Sequence, residues 1–193
     1  MDGSGTGARG SAIVSQAPKA AIRLRAFLAA AGKEVYQEAL DRLSECRRTA
    51  SQRVAVSFLA PTREDWVDEC CADPPPKRGR LGFWWMLYGS LGSPRQVDQL
   101  LQHNVVSRFL WDRALLATMA DAVGPGITPL VVAAFDDTWD TASRKLFLEI
   151  LAVLPCDEAF QALVDRADRK NVQPALLSAA KRFPERARRL LPE

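Results

Sequence analysis

A single histidine, His103, is the first constraint on the chemistry open to this chain. With one imidazole available, His-based triads, general-base pairs and His-rich metal sites are nearly excluded by arithmetic. His103 therefore reads as an ordinary loop or helix-end residue. Cys70 and Cys71 are sequence neighbours. On a helix their side chains point about 100° apart, so they cannot share a metal ion without ligands from elsewhere, and they read as core or half-buried thiols. The sequence thus assigns no catalytic, cofactor-binding or metal-ligating residue, and the chain is expected to work without a cofactor and not as an enzyme.

Two other groups carry residue types that recur in binding sites. Asp136, Asp137 and Asp140 surround Trp139, and Trp111-Asp112 makes a similar pair. A carboxylate beside aromatic rings can stabilise a positively charged, damaged nucleotide on a concave helical surface. The plainer expectation is that Asp140 caps a helix beginning at Thr141 and that the tryptophans pack between helices. Trp84, Trp85 and Tyr88 form the second group. Adjacent tryptophans on a helix face different directions, so one can lie in the core while the other anchors a partner. The candidate partner-binding residues are Trp84, Trp85, Tyr88, Trp111 and Trp139. The candidate nucleic-acid contacts are Lys77, Arg78 and Arg80 together with Lys181, Arg182, Arg186, Arg188 and Arg189, provided both clusters converge on one face.

The elements that position these residues read as helical throughout. Residues 1–16 contain four glycines and show no periodicity, so disorder is expected there. From Pro18, Ile22, Leu24, Phe27 and Leu28 recur at helical spacing, with Gly32 placed to cap the helix C-terminus. Val35, Ala39, Leu40 and Leu43 form one face of a second helix. Val54, Val56, Phe58 and Leu59 follow a polar break at Thr49 to Gln52; their β-branched content would suit a strand, but no partner strand is evident, so a helix is expected. Thr62 and Asp65 resemble a capping box opening a helix with Trp66, Val67, Cys70 and Cys71, which should stop at Asp73. Pro74-Pro75-Pro76-Lys77-Arg78-Gly79-Arg80 cannot continue a helix. This divides the chain into an N-terminal helical subdomain (17–73), a proline-basic linker (74–80) and a C-terminal region (81–193).

In the C-terminal region a unit recurs about every 30 residues: an apolar helix, a turn marked by Gly or Pro, and a second amphipathic helix. The turns are Leu91-Gly92-Ser93-Pro94, Val123-Gly124-Pro125-Gly126, Leu154-Pro155-Cys156-Asp157 and Phe183-Pro184. A helix apolar on nearly two faces, such as Leu146 to Leu154, must bury against neighbouring repeats as well as its own hairpin partner. An all-α solenoid of degenerate helix pairs is therefore expected. Because solenoids need polar end repeats, an uncapped last pair would expose an apolar edge and self-associate.

Leu151-Ala152-Val153-Leu154-Pro155-Cys156-Asp157-Glu158-Ala159-Phe160, Val172-Gln173-Pro174-Ala175-Leu176-Leu177 and Lys181-Arg182-Phe183-Pro184 resemble the HEAT-like region of bacterial WGR-domain proteins, often labelled molybdate-metabolism-regulator-like. Ala60-Pro61-Thr62-Arg63-Glu64-Asp65-Trp66-Val67 and Val123-Gly124-Pro125-Gly126 are similar to segments of the same region. The resemblance implies HEAT-like helix pairs without catalytic residues. The Trp-Gly-Arg signature and a large C-terminal domain are missing, so the chain is expected to be a fragment or a short relative. The Asp and Trp groups match helical-repeat DNA glycosylases in residue types alone.

Basic and acidic side chains number 26 and 23, so the whole-molecule field is weak and charge does not announce a nucleic-acid binder. Four cysteines without a disulfide-like spacing, and no run of about 20 uninterrupted apolar residues, place the chain in the cytoplasm with reduced thiols and no membrane partner. The expected function is a non-enzymatic scaffold or protein-interaction module, its partner another protein or other domains of a larger one. The alternative is a nucleic-acid-binding helical-repeat protein, and less favoured still is a glycosylase-like enzyme.

Overall fold

The computed structural model describes residues 18–76, 81–103 and 112–191. The expected disorder of 1–16, the basic residues Lys77, Arg78 and Arg80, and Trp111 lie outside the described residues. Among those described, all regular structure is helical and no strand occurs. The chain divides into two compact units between Gly92 and Ser93, so the proline-basic segment lies within the first.

The first unit contains α1 (Pro18–Ala29), α2 (Lys33–Glu45), α3 (Ala50–Leu59), α4 (Glu64–Ala72) and α5 (Leu81–Tyr88). The polar break at Thr49 is the start of α3. The Thr49 hydroxyl accepts from the Gln52 N–H, and the Gln52 side chain accepts in return from the Thr49 N–H, a reciprocal capping box that satisfies two otherwise orphaned donors. With its N-terminus fixed in this way, the β-branched run Val54 to Leu59 is helical.

Two local expectations are corrected. Thr62 and Asp65 do not form a capping box: Arg63 holds the N-cap position of α4 with no side-chain cap. Its guanidinium donates Nε and Nη2 to Asp65 at 2.9 and 2.7 Å, a bidentate pairing that occupies the carboxylate, while the Thr62 hydroxyl shares a 2.7 Å hydrogen bond with Tyr36. Gly32 does not cap the end of α1. It is extended at φ −62° and ψ 154°, and it opens α2.

Helix α3 organises the first unit, packing against α1, α4 and α5. Its inward residues Val54 and Phe58 join Trp66, Cys70, Cys71, Trp84, Leu87 and Tyr88 in the core. The Ser57 hydroxyl lies 2.9 Å from the Arg53 carbonyl and 3.1 Å from the Trp66 carbonyl, linking α3 to α4. Tyr36, Leu40 and Leu43 lay the inner face of α2 on Val56, Ala60 and Trp66.

The second unit contains α6 (Pro94–Gln102), α7 (Arg113–Val123), a 3-10 turn (Gly124–Ile127), α8 (Thr128–Asp137), α9 (Thr141–Leu151), α10 (Asp157–Val164), α11 (Val172–Arg182) and α12 (Pro184–Leu190). The Gly/Pro turns read from the sequence all fall at helix boundaries. From α8 onward each helix packs on the next and on the next but one: α8 on α9 and α10, α9 on α10 and α11, α10 on α11 and α12.

The stretch Arg113–Asp137 is, by length and composition, apolar enough to cross a membrane. Its apolar side chains are taken up inside the unit: Leu115, Leu116, Met119, Ile127, Leu130, Val131, Ala134 and Phe135 are all buried. Gly124 interrupts it at φ +64° and ψ −142°, a backbone state that L side chains rarely adopt, and the 3-10 turn redirects the chain into α8.

Candidate functional site: the corner between α8 and α9

The most distinctive surface feature is the corner where α8 ends and α9 begins. Trp139 stands at its tip with 90% of its surface exposed. Both sides of the corner are pinned. Thr138 closes α8, its N–H donating to the Ala134 carbonyl at 3.1 Å. Asp140 caps α9 as the sequence led us to expect, accepting from the Ser143 N–H and from the Ser143 hydroxyl, each at 2.7 Å. These hydrogen bonds, the hydroxyl's first, hold the Asp140 carboxyl below its usual range.

Just before the corner, Asp136 is gripped by two arginines from the turn that follows α10. Arg166 donates Nε and Nη2 to its two oxygens at 3.0 and 2.6 Å, and Arg169 adds Nη1 at 2.5 Å. The Arg166 hydrogen bonds dominate in lowering the Asp136 pKa, and in turn the carboxylate raises that of Arg166. Beneath this clamp Phe135 is fully buried, with the Arg144 guanidinium 4.7 Å and that of Arg169 6.0 Å from its ring centre. The indole of Trp139 is thus exposed on a backbone that three charge-assisted contacts and a helix cap hold in place.

The remaining candidates fall elsewhere. Trp84 and Tyr88 are buried, their rings 6.1 Å apart, so neither can serve as a surface anchor. Trp85 is half-buried against Phe58 at 5.7 Å. Asp112 caps α7, accepting from the Ala114 N–H at 2.8 Å. His103 ends α6 as its C-cap.

Burial pushes the thiols of Cys70 and Cys71 and the phenol of Tyr88 upward, keeping all three protonated at neutral pH. Among the described residues no cluster of His, Cys, Asp or Glu could hold a metal ion.

The C-terminal basic cluster is largely satisfied from within. Asp157 accepts from Arg186 at 2.7 Å and from Arg189 at 2.8 Å, and Arg186 also donates to the Pro155 carbonyl at 3.2 Å. Arg188 pairs with Glu185 at 2.8 Å. Lys181 and Arg182 end α11 on the exposed surface.

Two arrangements escaped the sequence reading. One is the Asp136 clamp, for which Arg166 and Arg169, three residues apart, were the available signal. The other is Trp66, which the guanidinium groups of Arg47 and Arg63 both approach, 4.5 and 4.2 Å from the centre of its ring. No periodicity announces that arrangement, because Arg47 comes from a different segment from Arg63 and Trp66.

Comparison with known proteins finds no significant match among curated proteins and none among solved structures. A family model, described as the YehI second domain, matches residues 3–107, more than half of the chain, running through the first unit and α6 of the second. With its all-helical fold, the chain belongs to the YehI second-domain family.

Proposed function

We propose that the chain is a non-enzymatic helical scaffold that binds another protein, or another domain of a larger assembly, through the α8–α9 corner, with Trp139 as the anchor. The observation that carries this reading is the nearly complete exposure of an indole on a rigid turn. Large aromatics that are held in place before binding lose little conformational entropy on contact and dominate interface energetics. The solenoid reading belongs to the same proposal: the packing of each helix from α8 to α12 on its next two neighbours is what stacked helix pairs produce. The kinship with WGR-domain, molybdate-regulator-like proteins is proposed on the same footing, from the quoted segments and the family match.

The test compares the wild-type chain with Trp139→Ala as immobilised baits in extract from the source cell, with captured proteins quantified by mass spectrometry. The proposal expects a specific protein retained by the first and lost from the second. Equal recovery on both would remove Trp139 from the interface.

Nucleic-acid binding has weaker support, since Arg186, Arg188 and Arg189 each pair with a carboxylate, Asp157 or Glu185, that a phosphate would have to displace. Anisotropy titrations of labelled duplex and single-stranded DNA at low and physiological salt decide it. Salt-sensitive binding would revive that reading. A glycosylase-like site fares less well, because Asp112 and Asp140 cap helices and Asp136 is clamped by two arginines.

A further inference from the structure

We draw no further inference here: the strongest candidate, the exposed apolar face of α1 around Leu24 and Phe27, carries none, because nothing in the structure shows what covers it.

Discussion

Helices α1 and α8 are of similar length and both are rich in apolar residues, yet they use them in opposite ways. Helix α8 buries Leu130, Val131, Ala134 and Phe135 between α6, α9 and α10. Helix α1 touches its unit through one edge and turns Leu24 and Phe27 outward. The difference lies in the number of neighbours. A helix inside a stack has partners on two sides and can satisfy a broad apolar face, whereas a helix at the margin satisfies only the strip that faces inward. Apolar content alone therefore does not tell a core helix from a marginal one; the neighbours do.

The strongest way to break this comparison is to truncate a matching ring in each helix. Phe135→Ala should cost about 3–5 kcal/mol in chemical denaturation, since it empties a fully packed site. Phe27→Ala, measured at low protein concentration, should stay within about 0.5 kcal/mol of wild type. Equal losses would mean that α1 is as much a core element as α8.

Gly126→Ala tests how tightly α8 is fixed at its start. A Cβ there would sit 2.6 Å from Cγ of Pro94, the first residue of α6. The rigid ring has little room to yield, so a loss of about 1–3 kcal/mol is expected. Gly32→Ala, beside the hairpin of α1 and α2, meets nothing within 4 Å at a negative φ, so it should be nearly neutral.

Asp136→Asn probes the other end of α8. The clamp is partly solvent-screened, so the loss should be about 1 kcal/mol at neutral pH. The carboxyl's folded pKa lies below its unfolded value, so its contribution is complete above about pH 4 and fades as pH falls through the lowered folded value. The stability gap between wild type and Asp136→Asn should therefore be widest at neutral pH and close in acid. A gap that widened in acid would contradict the clamp.

The smallest effect is expected at Trp139. Its replacement by alanine should leave stability within about 0.5 kcal/mol while removing whatever protein binds there.

Much of the helical framework was legible in the sequence, because Gly and Pro punctuation and apolar periodicity are local signals. The turn at Gly124-Pro125-Gly126, the stop at Asp73 and the Asp140 cap all follow from residues within a few positions of one another. The Thr62–Asp65 box does not form because a neighbouring guanidinium competes for the carboxylate, and the box that does form, Thr49–Gln52, reads in the sequence as a polar interruption.

The site was less legible. That Trp84 is buried and Trp139 exposed depends on which helices lie opposite, and the grip of Arg166 and Arg169 on Asp136 spans about 30 residues. Local pattern carries no information about such pairings.

The long apolar stretch from Arg113 to Asp137 has a consequence at the ribosome. Its core-facing side chains meet α9 and α10 only after a further stretch of chain has been made. Until then the emerging polypeptide shows nascent-chain factors a segment with the length and composition of a membrane span. Helix α8 has all its packing partners only once α10 has cleared the exit tunnel. Slowed translation beyond Asp137 would prolong the interval in which chaperones and targeting factors compete for it.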